Sequence, residues 1–298
     1  MLKDFDALRV RVQGKKSKTI AVAGAQDAHT LEALKELTAQ IAARIILVGE
    51  AREIEPLRES IGLDLGGGRI VDALGEEEAA AGAVALVASG EADILMKGKI
   101  QTGVLLKAAL NRETGIRRGG LMSHLAALES PAYSRLMFIT DGGINPAPDF
   151  EQKKAILENA VDFLRRLGYE RPNVAALAAA EAVSDKMPET GDAQRLAALC
   201  ASGEIAGCAV EGPLSFDLAI SPESARVKGV EVKMAGAADI FLAPNISTGN
   251  IMSKALLYLG GAKMAGCVLG AKAPIVLTSR GASAEEKFLS FLMTMAVE

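Results

Sequence analysis

Four segments of this chain place polar and charged side chains in patterns suited to holding an anion. The first is Lys97-Gly98-Lys99-Ile100-Gln101-Thr102, which sets two lysines in a glycine turn between an apolar run and a helical pattern. Helix N-termini present unbonded amides and a positive dipole end. Lys97 and Lys99 beside such an end, with Thr102 as N-cap, make a phosphate or carboxylate site. A solvated basic turn would use the same residues. The second is Asp141-Gly142-Gly143-Ile144-Asn145-Pro146, directly after the apolar run Leu136 to Thr140. Its glycines allow close backbone approach to a ligand that Asp141 or Asn145 would orient, although Asp-Gly-Gly and Asn-Pro also mark ordinary turns. The third, Asn245-Ile246-Ser247-Thr248-Gly249-Asn250, clusters four polar donors and a glycine before an apolar helix. One donor suffices for a cap, so the surplus points to a ligand contact. The fourth is Ser279-Arg280-Gly281, followed by Ser283-Ala284-Glu285-Glu286. A guanidinium after a strand suits a bidentate clamp on phosphate, and a serine beside it suits an oxyanion. Ser283 to Glu286 also fits the S-x-x-E capping box, which gives Glu286 a local structural role as its alternative.

Other chemistries lack their residues. His29 and His124 are the only histidines, and no H-E-x-x-H, G-x-S-x-G or P-loop pattern occurs. His124, beside Ser123, suits a ligand contact or a structural hydrogen bond. Val22-Ala23-Gly24-Ala25 lacks the full G-x-G-x-x-G fingerprint of dinucleotide binding. Lys and Arg number 33 against 37 Asp and Glu, for a net charge of -4. Nucleic-acid binding, which needs a concentrated cationic surface, is disfavoured. Cys200, Cys208 and Cys267 have no metal or redox spacing and read as buried thiols in a reducing compartment. The segment Met1 to Lys18 has no secretory apolar core, and nowhere do eighteen apolar residues run uninterrupted. A cytoplasmic protein without a membrane span is expected.

The elements that would position these segments follow from periodicity. Short apolar runs predict strands at Thr19 to Gly24, Ile45 to Gly49, Ile94 to Met96, Leu136 to Thr140, Val174 to Ala179, Cys208 to Val210, Ile240 to Ala243 and Pro274 to Leu277. Amphipathic stretches between them predict helices, notably Thr30 to Ala43, Glu76 to Ser89, Asp149 to Leu167 and Ile246 to Leu259. This alternation predicts an α/β protein with largely parallel sheets. At 298 residues, 50% hydrophobic but only 4% aromatic and with 30 glycines, the chain suits close helix-on-sheet packing in about two domains. Seams are expected near Ala126 to Pro131 and Ala262 to Gly266. They define a first domain of residues 1–127 plus 266–298 and a second of 128–265.

The four segments, in this order, resemble the phosphate acetyl/butyryltransferase family. Lys186-Met187-Pro188, the run Ala175 to Ala180 and Glu211-Gly212-Pro213-Leu214-Ser215-Phe216-Asp217 extend the likeness over nearly the whole chain. The compact length and the Glu211 to Asp217 wording are more like the butyryl branch than the acetyl branch. The resemblance implies two α/β domains of the isocitrate/isopropylmalate dehydrogenase-like type around a central cleft. It implies reversible transfer of an acyl group between CoA and inorganic phosphate, homo-oligomers (dimers or larger), and no catalytic metal or other cofactor. By the same resemblance Ser279 and Arg280 match an active-site pair, and Glu286 matches an acidic general base that is more often Asp in acetyl enzymes. The position of Gly142 can be cysteine in the family, so no acyl-cysteine can form there in this chain.

The expected mechanism is therefore direct attack in a ternary complex. Ser279, Arg280 and Glu286 are catalytic; Lys97, Lys99, Thr102, Asp141, Asn145, Asn245, Thr248, Gly249, Asn250 and Gly281 bind substrate. Phosphate acetyltransferase activity is the near alternative. A metal- and NAD-dependent hydroxy-acid dehydrogenase on a related fold would need acidic ligands, for which Asp141 and Asp217 are available. A non-catalytic CoA-binding protein is the third reading.

Overall fold

The computed structural model describes residues 2–279 and 281–297. In chain order the elements are α1 (Phe5–Val12), β1 (Lys18–Ala23), α2 (Ala28–Gln40), β2 (Ala43–Gly49), α3 (Ala51–Ile61), β3 (Arg69–Asp72), α4 (Gly75–Ala88), β4 (Ile94–Lys97), α5 (Thr102–Ala109), β5 (Ser123–Glu129) and β6 (Met137–Thr140). They continue with α6 (Phe150–Arg166), β7 (Asn173–Leu177), α7 (Pro188–Ala201), β8 (Ala209–Leu214), α8 (Phe216–Ile220), α9 (Pro222–Lys228), β9 (Ile240–Leu242), α10 (Ile246–Tyr258), β10 (Lys263–Leu269), β11 (Ile275–Val276) and α11 (Ala284–Met295). No helix of the described residues is long and apolar enough to cross a membrane.

The chain forms two compact units. One, the split unit, holds Asp6–Gly120 together with Ala265–Ala296. Its strands follow the order β3-β2-β1-β4-β11-β10, all parallel except for the β10–β11 pair. Continuous apolar runs such as Ile20 to Ala23 and Ile45 to Val48 are buried throughout, as strands covered on both faces require. α4 opens with Glu76, Glu77 and Glu78 at its positive end, and its small residues pack close to the sheet. A Cβ at Gly82 would lie only 3.2 Å from Val48 Cγ1. α11 is buried at every position from Lys287 to Met295, and its Ser290 hydroxyl accepts the Gly266 amide of β10 at 2.8 Å.

The other, the middle unit, holds Leu121–Met264 and the start of the chain up to Phe5. Its strand order is β5-β6-β9-β7-β8, with β5 antiparallel to β6 and the rest parallel. Its core gathers around Phe241, on which Tyr133 stands edge-on at 6.1 Å and Phe216 leans at 5.8 Å.

Several elements depart from the sequence expectation. The seam residues Ala126 to Leu128 are buried in strand β5 and paired in register with β6. The second expected seam, Ala262 to Gly266, runs into β10 and contains the Met264–Ala265 division between the units. Both strands are diluted by Ala, Gly or polar residues and so read as linkers. α3, which carries Pro56 inside it, has no counterpart among the helices expected from periodicity. Of the thiols, Cys208 and Cys267 are buried, but Cys200 is only half-buried.

Candidate active site

In the middle unit, the segment after β6 is organised by one carboxylate. Asp141 is buried, and its Oδ1 accepts the amides of Gly143 at 2.7 Å and Ile144 at 2.9 Å. Its Oδ2 accepts the His124 amide at 3.1 Å, the Asn145 amide at 3.3 Å and the Asn145 side-chain amide at 2.6 Å. Asn145 Nδ2 also donates to the Met122 carbonyl at 2.9 Å. Through these contacts Asp141 and Asn145, the residues expected to orient a ligand, fold the loop on itself and tie it to β5. The ring of His124 lies where a Gly143 side chain would be, 2.9 Å from an added Cβ.

α10 packs its first turn against the same loop. Asn245 is its N-cap, accepting the Thr248 amide at 3.0 Å and the Thr248 hydroxyl at 3.1 Å. The Asn250 side-chain amide donates to the Gly142 carbonyl at 3.0 Å. The surplus of donors in this segment is thus partly structural: Thr248 donates twice to the Asn245 cap and Asn250 holds the neighbouring loop. Gly249 faces Gly142 backbone to backbone. A Cβ at Gly249 would sit 2.7 Å from the Asp141 carbonyl oxygen and 3.0 Å from Gly142 Cα. A backbone contact that short is not relieved by rotating a side chain. Gly249→Ala should therefore cost about 1–3 kcal/mol of stability, whereas Gly103→Ala, with nothing near its Cβ, should cost nothing. Thermal unfolding of the two variants checks this, and equal melting temperatures would refute it.

In the split unit, Lys97 ends β4 with only 1% exposure, and its ammonium donates to the Gly98 carbonyl at 3.2 Å. The Gly98 and Lys99 amides donate to the carbonyls of Ala23 at 2.9 Å and Gly24 at 2.8 Å. A Cβ at Gly98 would lie 2.1 Å from the Gly24 oxygen, so glycine is what allows the turn to dock. Lys99 projects to solvent. Thr102 is not the N-cap of α5. Gln101 takes that place with no side-chain cap, and its amide is satisfied by the Glu76 carboxylate at 3.0 Å.

Ser279 is exposed, and its hydroxyl accepts the Gly281 amide at 3.4 Å. Arg280 lies outside the described residues. Ser283 and Glu286 form the reciprocal capping box that their spacing allows. The Ser283 hydroxyl accepts the Glu286 amide at 3.1 Å, and the half-buried Glu286 carboxylate accepts the Ser283 amide at 2.9 Å. Lys287 was not anticipated: its ammonium is buried and pairs with Asp27 at 3.1 Å. Asp27 caps α2 by accepting from the Thr30 amide and hydroxyl. The sequence signals were a lone lysine in an apolar helix and an Asp-x-x-Thr start.

The acidic residues available to a metal-dependent dehydrogenase are otherwise engaged. Asp141 is enclosed by amide donors, and Asp217 pairs with Lys228 at 3.0 Å. The Ser215 hydroxyl and the Lys228 ammonium hold the Asp217 carboxyl below its ordinary range. Among the described residues, no three of His, Cys, Asp or Glu come together where they could hold a metal ion.

The family profile described as phosphate acetyl/butaryl transferase matches residues 5–81 and 76–295. A phosphate butyryltransferase of Clostridium acetobutylicum is 42% identical over 297 residues, covering 100% of this chain and 99% of that one. A phosphate acetyltransferase of Thermotoga maritima is 39% identical, covering 94% of this chain and 95% of that one. The crystal structure of a branched-chain phosphotransacylase from Enterococcus faecalis V583 is similar with a TM-score of 0.82 and 35% identity, covering 94% of this chain and 98% of that one. With its whole length matched and its glycine-turn segments built on strand ends, the chain belongs to the phosphate acetyl/butyryl transferase family and is a phosphate acyltransferase.

Proposed function

We propose that this enzyme catalyses acyl-CoA + phosphate = acyl phosphate + CoA, with butyryl or a similarly short chain preferred over acetyl. The observation that carries this reading is the full-length likeness to a phosphate butyryltransferase. The phosphate acetyltransferase likeness at 39% identity supports acetyl-CoA as the second reading.

The transfer is direct. A phosphate oxygen attacks the thioester carbonyl, the C–S bond breaks, and the CoA thiolate leaves and takes a proton. In reverse, Glu286 removes the thiol proton; a thiol pKa of about 8.5 leaves only a few per cent thiolate at neutral pH, so a positioned base is useful. Ser279 donates to the carbonyl oxygen as charge develops there. Arg280, with Lys97 and Lys99, neutralises phosphate, and Gly281 lets the backbone follow the ligand closely. In the middle unit, Asp141 and Asn145 keep their loop in shape. The α10 start, shaped by Asn245, Thr248, Gly249 and Asn250, turns the positive end of its helix dipole toward an anion. Thr102 plays the same part at α5. We place the enzyme in the cytoplasm as a homo-oligomer that needs no resident cofactor, with acyl-CoA and phosphate as its small-molecule partners.

Thiol release from acetyl-, propionyl-, butyryl- and isobutyryl-CoA, with and without phosphate, tests the reading. Phosphate-dependent release fastest with the four-carbon chains is expected. Fastest release with acetyl-CoA would favour the second reading, and none with any thioester would refute both. Arg280→Ala should raise the Michaelis constant for phosphate and lower kcat/KM by about 10- to 100-fold, the worth of one charge-assisted pair. Unchanged constants would remove Arg280 from the anion site.

A further inference from the structure

We propose that the buried Lys287–Asp27 pair is the positioning device of the acid–base step, fixing the first turn of α11 so that the Glu286 carboxylate meets the thiol. This rests on the reading of Glu286 as the base.

Lys287 is 1% exposed and is the one charged side chain along the buried length of α11, whose other polar groups, the Ser290 and Thr294 hydroxyls, donate to carbonyls within the helix. Its ammonium bonds one carboxylate, Asp27, at 3.1 Å. Burying a charged pair is not the cheapest way to stabilise such a helix, because a well-packed apolar pair commonly serves as well or better. An ion pair supplies direction, which apolar packing does not. Seating the Lys287 ammonium on Asp27 narrows the rotation of α11 about its axis, and Glu286 precedes Lys287 in the chain. That rotation therefore sets where the Glu286 carboxylate emerges.

Asp27 is itself held. It receives the Thr30 amide at 3.1 Å and the Thr30 hydroxyl, while its own amide donates to the Ala25 carbonyl at 2.8 Å. Burial pushes its carboxyl up, but the Thr30 hydroxyl and the Lys287 charge outweigh this and leave it below the usual range, ionised at neutral pH. The same loop, Gly24 to Asp27, begins with the carbonyl that accepts the Lys99 amide. One short loop thus anchors both the lysine turn and the helix of the proposed base.

Kinetics of Lys287→Met in the wild-type and Glu286→Gln backgrounds test the proposal. In the wild type the change should lower kcat about 30-fold and move each KM less than about threefold; in Glu286→Gln it should lower kcat less than about threefold, because the group it positions is already gone. Lys287→Arg, which keeps the charge, should recover most of the turnover. Since Lys287→Met alone strands a buried carboxylate, Asp27→Asn/Lys287→Met serves as the stability control. Near-native melting with turnover still low supports positioning; turnover restored together with melting temperature overturns it. An equal loss in both backgrounds also overturns it. If Glu286→Gln turns over like the wild type, the positioning role falls with the base, while phosphate-dependent thiol release by the wild type still upholds the transferase reading.

Discussion

Asp141→Asn should nearly abolish turnover and destabilise the protein markedly, although the substitution changes no side-chain volume to speak of. Both carboxylate oxygens accept from N–H donors, two on Oδ1 and three on Oδ2. Whichever way an asparagine amide is turned, its NH2 faces at least two donors with no acceptor between them. Each buried donor left unsatisfied costs about 1–3 kcal/mol, so a loss of roughly 2–6 kcal/mol is expected. The loop cannot keep its shape under that conflict, and it carries the Gly142 carbonyl that holds Asn250 and the backbone that Gly249 packs against. A displacement of about 1 Å in a positioning segment can cost 10²-fold in rate. Thermal or denaturant unfolding together with steady-state turnover checks both parts. Retention of either near the wild-type value would show that the loop does not depend on this carboxylate.

Glu286→Gln should separate two roles that one side chain can hold. Gln at the third position of a capping box still accepts the Ser283 amide, so α11 should keep its first turn and the melting temperature should barely move. Gln cannot take a proton from a thiol. Loss of a positioned general base commonly costs about 10²–10⁴ in rate, and kcat should fall by that order near neutral pH. The deficit should then shrink as pH rises through about 8.5, where the thiol ionises without help. Measured across pH in the direction that consumes acyl phosphate, a constant deficit would argue against base catalysis. Wild-type turnover would make Glu286 a helix cap alone.

What could be read from residues alone follows the range of the forces involved. Buried parallel strands announce themselves as unbroken apolar runs, and Thr19 to Gly24, Ile45 to Gly49 and Ile94 to Met96 fall within a residue or two of β1, β2 and β4. β5 and β10 hid because their partners, rather than their composition, make them strands. The capping box of Ser283 and Glu286 was legible because it is local: spacing decides it. The cap of α5 was misplaced by one residue because Glu76, far back in the chain, satisfies the Gln101 amide. Asp141 stood out as a chemical residue, but its role could not be read, since the donors that surround it come from β5 as well as from its own turn. Lys287 and Asp27 are 260 positions apart. A pairing over that separation has no pattern in a single sequence, and two such charges are as readily assigned to solvent.

The split unit imposes a schedule on the ribosome. β1 to β4 emerge early, but β11, which pairs with β4, and α11, whose Lys287 closes on Asp27, are made last. The whole of Leu121–Met264 is translated in between, which at about 5–20 residues per second takes on the order of ten seconds. Throughout that interval the apolar edge of β4 and the face of α2 have no native cover, and by its end the middle unit has all of its own strands, β5 to β9, before β11 and α11 are made. The later-numbered unit can therefore mature first, and the earlier one waits as a nascent chain exposed to chaperones and to its neighbours on the same messenger.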